Sequence, residues 1–206
     1  MPILKKHRKT EPLVKVVDKM AKTNGLRHTI YSTNGDQYSG DWKDNMRHDR
    51  SLKLSALWKG KGTQVWKRTG VVYEGEWKQN GRDGFGILSK LQPSTNEHVK
   101  VYSGTWRNDK KEGFGTRFYS SSSQYEGEWV ENERSGWGRM TYENGDVYEG
   151  EWLKNKPHGQ GVLWLVPENR YEGSWKDGKK HGPGRFFYTN RGQLYEGFWV
   201  DDVPRN

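Results

Sequence analysis

Two segments, His158-Gly-Gln-Gly161 and His181-Gly-Pro-Gly184, have the composition of a backbone loop that steadies an oxyanion. Such a loop serves a nucleophile on a Gly-x-Ser-x-Gly elbow, and the chain contains no such elbow. Gly-x-Gly recurs elsewhere, but never with the third glycine of a dinucleotide fingerprint, and there is no Walker loop. His48, His158 and His181 stand one per repeat of a longer pattern. Zinc needs three or four converging ligands, so these histidines read as turn residues. The carboxylate pairs Glu74/Glu76, Glu126/Glu128 and Glu149/Glu151 form a periodic stripe. Acid–base catalysis instead needs one pair in two contrasting environments. The expectation is a protein that is not an enzyme and that uses no metal, cofactor or small-molecule substrate.

The elements that carry these residues must be built with few aliphatic side chains. The 206 residues include 29 Ile, Leu and Val against 28 aromatics, of which 11 are Trp and 11 Tyr. A doubly wound α/β enzyme, whose buried strands need long Val/Ile/Leu runs, is excluded on that ground. Trp and Tyr must supply the buried area, at roughly 150–250 Å² each. Cysteine is absent, which removes disulfides and thiolate chemistry and fits a reducing compartment. No stretch approaches the ~18 apolar residues of a membrane span, and the basic N-terminus lacks the apolar core of a secretory signal. An intracellular, cytoplasmic protein is expected. Of the net charge of +9, most sits in the first thirty residues, leaving the remainder nearly balanced. A nucleic-acid partner is therefore not expected, since its footprint should appear on the folded part.

One phrase organises the chain. Tyr-x-Gly-x-Trp occurs at Tyr38–Trp42, Tyr73-Glu-Gly75-Glu-Trp77, Tyr102-Ser-Gly104-Thr-Trp106, Tyr125-Glu-Gly127-Glu-Trp129, Tyr148-Glu-Gly150-Glu-Trp152, Tyr171-Glu-Gly173-Ser-Trp175 and Tyr195–Trp199. The Tyr-to-Tyr steps are 35, 29, 23, 23, 23 and 24 residues. Trp77, Trp106, Trp129, Trp152 and Trp175 are each followed seven residues later by Gly-x-Gly, as at Gly84-Phe-Gly86 and Gly136-Trp-Gly138. A fixed period of this length marks stacked supersecondary units. Alternation by two places Tyr, Gly and Trp on one face of a strand and the intervening acids on the other. A polar turn follows, and Gly-x-Gly opens a return strand that continues the inner face through Met140, Leu163 and Phe186. The glycines let a neighbouring ring approach the backbone. One hairpin cannot stand alone, so the units must stack.

These units resemble MORN repeats, whose pattern is Tyr-x-Gly-x-Trp, a polar turn and His-Gly-x-Gly. The resemblance runs over about residues 24–200. It implies an all-β, elongated solenoid of about seven stacked antiparallel hairpins forming a single-layer twisted sheet. It also implies adaptor work, with an association with male germ cells, flagella, the acrosome, and vesicular or cytoskeletal structures. Residues 1–23 read as a basic tail or a short capping helix, and residues 201–206 as a C-terminal tail. His48 is followed by Asp49 where the pattern has Gly, which marks an insertion near 49–59. Gln92-Pro-Ser-Thr-Asn96 marks a longer loop, and the last unit is expected to lack its return strand.

Two surfaces emerge. Phe85, Phe114 and Trp137, each between two glycines, point away from the Tyr/Gly/Trp face and join Glu74, Glu126, Glu128, Glu149 and Glu151 in an aromatic-acidic platform for a partner protein. Lys110, Lys111, Lys154, Lys156, Lys179 and Lys180 form a row of basic hairpin tips that suits an anionic phospholipid surface. The leading expectation is a scaffold that tethers proteins; the alternative is a peripheral lipid binder. Open strand edges add self-association as a further option.

Overall fold

Each Tyr-x-Gly-x-Trp phrase forms a strand. The computed structural model describes residues 25–47 and 61–205. Within them run β1 (Gly25–Tyr31), β2 (Gln37–Lys43), β3 (Met46–Arg47), β4 (Lys61–Trp66), β5 (Val71–Lys78), β6 (Gly81–Gln92), β7 (Glu97–Arg107) and β8 (Lys110–Phe118). They are followed by β9 (Gln124–Val130), β10 (Glu133–Thr141), β11 (Val147–Leu153), β12 (Lys156–Leu165), β13 (Asn169–Lys176), β14 (Lys179–Tyr188), β15 (Gln193–Val200) and β16 (Val203–Arg205). All sixteen lie in one open antiparallel sheet in which spatial order is chain order, save that β3 pairs only with β2. The all-β solenoid implied by the repeats is the observed architecture. The expected N-terminal helix and the insertion near 49–59 fall outside the described residues. On either side of that insertion the first return strand keeps its place. β3 takes the end of β2 nearest the turn, and β4 takes the other end.

The hairpin tips that follow the Trp of each phrase are two residues long. Gln79-Asn80, Asn108-Asp109, Glu131-Asn132 and Lys154-Asn155 all have positive φ at both positions. That is the turn whose twist matches paired strands, and Asn and Asp tolerate it best. The return strand therefore starts directly after the tip, three residues ahead of Gly-x-Gly. Two further expectations change. The extra residues near Gln92 lengthen the β6–β7 hairpin, which pairs out to Gln92 with Glu97. The last unit has a short return strand, β16, which sets Pro204 opposite Trp199.

The two glycines of Gly-x-Gly have different tasks. Between Gly75 and Trp77 the register slips, because Arg82 pairs with Trp77 and Gly86 with Gly75. The return strand therefore bulges, and the first glycine takes the left-handed backbone of the bulge, with φ +101° at Gly84 and +67° at Gly136. The second glycine joins a transverse spine, Gly62–Gly75–Gly86–Gly104–Gly115–Gly127–Gly138–Gly150–Gly161–Gly173–Gly184–Gly197, each paired with the next. A Cβ at Gly127 would lie 2.5 Å from the Gly138 Cα, and one at Gly138 would strike the Tyr125 ring.

Over this spine lies the core. Tyr73, Tyr102, Tyr125, Tyr148 and Tyr171 are fully buried, and the Trp of each phrase packs edge-on between the Tyr of its own unit and that of the unit before. From Tyr38 to Trp199 the ring centroids are 5.0–5.6 Å apart with planes at 80–90°. This is the T-shaped geometry the ring quadrupoles favour. The polar handles are satisfied along the interior of the ladder, while the terminal indoles Trp42 and Trp199 bury an N–H without a hydrogen-bond partner. Tyr125 Oη donates to the Glu128 carbonyl at 3.0 Å, and Trp152 Nε1 donates to the Gly138 carbonyl at 3.1 Å. The indole bond thus reaches the preceding unit's spine, and it recurs at Trp77, Trp106, Trp129 and Trp175.

Burial raises the phenol pKa values of Tyr38, Tyr73, Tyr102, Tyr125 and Tyr148 well above the ordinary range, and that of Tyr171 to about 12. An unfolded chain loses these protons from about pH 10, while the folded chain keeps them. Their stabilisation is complete below pH 10 and is lost as pH rises through the folded values. Melting followed from pH 8 to pH 12, with tyrosinate absorbance read in parallel, should show a steep fall in Tm above about pH 10, and the ladder phenols should titrate only as the chain unfolds. Gly138→Ala should overpack the spine by about 1–3 kcal/mol, which lowers Tm by about 2–4 °C per kcal/mol in a chain of this size.

Candidate functional site

The face opposite the ladder carries the expected aromatic residues. Phe85, Phe114 and Trp137 are 47%, 58% and 51% exposed. Across the strands Phe85 stands opposite Thr105, Phe114 opposite Glu128 and Trp137 opposite Glu151. A second row crosses the same face one residue pair further along the strands: Glu74, Ile87, Ser103, Thr116, Glu126 and Arg139 pair in succession. Glu149, paired with Arg139, continues it.

The acidic residues of this platform divide into two kinds. Glu128 Oε1 accepts the Trp137 backbone N–H at 3.2 Å, and Glu151 Oε1 accepts that of Gln160 at 2.9 Å. Both carboxylates lie over the bulge glycines Gly136 and Gly159 and hold the loosened backbone, as the Thr105 hydroxyl does over Gly113. Glu74 and Glu126 are exposed on the outer row, and Glu149 makes a long ion pair of 3.9 Å with Arg139. The platform's charge is thus carried by Glu74, Glu126 and Glu149, while Glu128 and Glu151 brace the strand that presents the rings.

The lysines do not form one row. Lys154 lies in a tip, and Lys110, Lys156 and Lys179 are exposed at the start of return strands, where Lys110 reaches Glu131 at 3.1 Å. Lys111 and Lys180 instead fold over the ladder. Their ammonium groups sit 4.8 Å from the Trp129 ring and 5.2 Å from the Trp199 ring. The two-residue tips cause this split: the second residue after a tip already has inner-face parity. Arg47, Arg82 and Arg134 occupy the same place, 4.5, 4.1 and 4.4 Å from Trp77, Trp106 and Trp152. Each is a cation over an indole, worth about 0.5–2 kcal/mol. Burial lowers the Lys111 pKa to about 8.

The same residues lock neighbouring units together. The backbone N–H of Arg82, Lys111, Arg134 and Lys180 donates to the side chain of the next tip, at Asp109, Asn132, Asn155 and Asp202, over 2.8–3.0 Å. The tip's backbone N–H returns the bond to the carbonyl of the same residue. One residue further on, Glu112 accepts from the Glu131 N–H at 3.0 Å, and His158 Nδ1 lies 3.5 Å from the Asp177 nitrogen. His181 faces Asp201 at 3.6 Å. His158 and His181 are therefore strand residues that meet the neighbouring tip, and His48 lies outside the described residues. Among the described residues no three His, Cys, Asp or Glu side chains converge as metal ligands, and no helix is long and apolar enough to cross a membrane.

The profile of the MORN repeat matches residues 38–48, 73–90, 102–124, 125–147, 148–168 and 171–193. The chain belongs to the MORN-repeat family. It is 57% identical over 205 residues to MORN repeat-containing protein 3 of Xenopus laevis, spanning all of this chain and 82% of that protein. It is 62% identical to the protein of the same name from Mus musculus and 60% to that from Bos taurus, spanning 80% of each. MORN repeats are commonly interaction modules.

In this MORN sheet the alternation of Tyr, Gly and Trp revealed the ladder, but not the cations upon it. The missed signal was a basic residue five positions after Trp42, Trp77, Trp106, Trp129 and Trp175, namely Arg47, Arg82, Lys111, Arg134 and Lys180. Glu128→Ala should cost about 1 kcal/mol, the typical net worth of one hydrogen bond, and lower Tm by about 2–4 °C. Glu126→Ala should change stability by less than about 0.5 kcal/mol. Thermal melts of the two single variants make the comparison.

Proposed function

We propose that this MORN-repeat chain is a non-enzymatic scaffold that binds and tethers partner proteins through the outer face of its sheet. The observation that supports this reading most directly is the exposure of Phe85, Phe114 and Trp137 on a face that plays no part in the aromatic ladder. Large rings amid charge are what energetically dominant interface positions use. Their strands are held by the glycine spine on one side and by Glu128 and Glu151 at the bulges, so little order would have to be created on binding. Rigid presentation of this kind raises affinity by lowering the entropic cost. Glu74, Glu126 and Glu149 add negative charge beside the rings and favour a partner with a basic rim.

The membrane-surface reading rests on Lys110, Lys154, Lys156 and Lys179, of which Lys110 is paired with an acid. Lys111 and Lys180 are already engaged with rings. At about 1 kcal/mol per cation near an anionic surface, this remainder favours the protein partner over the lipid. Phe114→Ala combined with Trp137→Ala should abolish partner capture from a native tissue extract and leave the melt within about 2 °C of the parent, since exposed positions move stability little. Retained capture, or loss of folding, would remove the outer face as the binding surface. Salt-sensitive sedimentation with phosphoinositide vesicles, lost on charge reversal of Lys154, Lys156 and Lys179, would favour the lipid surface instead.

A further inference from the structure

From Trp77 onward, cations among the described residues cap the ladder unit by unit, with one gap. Trp77, Trp106, Trp129, Trp152 and Trp199 each lie beneath a cation of the preceding return strand. At Trp175 the corresponding residue is Pro157, which pairs across the sheet with Trp152 just as Lys111 pairs with Trp106. Proline brings no charge and no N–H. The tip it faces has Gly178 where the other junctions have Asn or Asp, so the side-chain clasp is missing as well. Of the reciprocal pair the Gly178 N–H to Pro157 carbonyl bond of 2.9 Å remains, beside the long contact of 3.5 Å between the Asp177 N–H and His158 Nδ1. Trp175 is 7% exposed, against 2–4% for the five capped indoles.

A cavity of about 570 Å³ opens at this junction, with Tyr142, Tyr148, Leu163 and Trp175 among its walls. Glu143, Asp146 and Asp202 line it too. Asp146 Oδ1 accepts the Val166 N–H, and its Oδ2 accepts from Asn144, so the carboxylate is held in place. Lys180 also borders the cavity, but its ammonium is directed to the rings of Tyr171, Phe186 and Trp199. The site therefore combines aromatic walls with three fixed or exposed carboxylates. At this place in the sheet, five equivalent positions show what such rings hold: a guanidinium or an ammonium.

We propose that the cavity at Pro157 and Trp175 receives an arginine or lysine side chain from a partner protein, in place of the cation this repeat lacks. The site lies on the ladder face and does not depend on Phe114 and Trp137, so the outer face can fail as a binding surface without affecting it. The partner chemistry is a basic segment, whose charge is complementary to Glu143, Asp146 and Asp202. Cation–π attraction and the neighbouring carboxylates act together on the same group.

The test uses the isotope-labelled full chain and two probes, N-acetyl-arginine amide and its neutral isostere N-acetyl-citrulline amide. The Trp175 indole N–H resonance is assigned by its loss in Trp175→Phe. The arginine probe should shift this resonance in a saturable way in the millimolar range, leave the five capped indoles in place, and exceed the citrulline effect at least several-fold. The combination Pro157→Arg with Gly178→Asn supplies the missing cation and clasp from within. It should abolish the response and raise Tm by about 2–4 °C, the shift of roughly one cation–π contact. Glu143→Gln should weaken the arginine response without moving Tm. Equal response to both probes, or a response that persists in the filled variant, would overturn the proposal. A higher Tm in the filled variant with no arginine response in the parent would show a weak joint without a ligand, and would overturn it equally.

Discussion

The structure depends on the contact between a tyrosine ring and a bare glycine backbone. In each unit the phenol packs against the spine, and any Cβ on the paired glycine would occupy the same space. That contact sets the distance at which the next indole can dock edge-on, and the indole in turn bonds to the carbonyl of the preceding spine glycine. A sheet one layer thick has no second sheet to bury its apolar face. Here the rings bury one another, which explains how a chain so poor in aliphatic residues keeps Tyr73, Tyr102, Tyr125, Tyr148 and Tyr171 at zero exposure.

Much of this was legible in the sequence because a period of two within strands and of about 23 between units leaves a strong trace. Tyr125, Gly127 and Trp129 fall on one face by parity alone, and Phe114 and Trp137 on the other. What lay hidden was the bulge. Counting by two across Gly-x-Gly treats both glycines alike, yet Gly136 serves a left-handed backbone and Gly138 a ring contact. The two-residue tips were hidden for a similar reason. A polar stretch such as Arg107-Asn-Asp-Lys-Lys-Glu112 reads as one loop, although only Asn108 and Asp109 turn. That misreading placed Lys111 and Lys180 among free tips, when their parity sends them to the rings. The final strand was too short to show any alternation, and only pairing with Trp199 and its neighbours reveals it.

The division of labour between faces follows from the same geometry. The Tyr, Gly and Trp of the ladder each meet the rings or backbone of an adjoining unit, so this part of the inner face repeats without change. The outer face is constrained only at the bulge, where Glu128, Glu151 or Thr105 bind backbone groups. Between these braces the side chain between the glycines is free to vary, and it does: Phe85, Phe114, Trp137, Gln160 and Pro183 follow one another. Individual character in a repeat protein of this type therefore resides in the outer row and in rare interruptions of the inner one.

The pairing of nearly every described strand with its sequence neighbours has a kinetic consequence. Among the described strands no pairing reaches beyond the adjoining unit, so the entropy lost in closing loops stays small at each step. Ordering can begin at whichever hairpin forms first and spread in both directions, each unit offering a ready edge to the one still unformed. A sixteen-stranded sheet would ordinarily be a slow assembly problem; arranged in this way it grows like a zip.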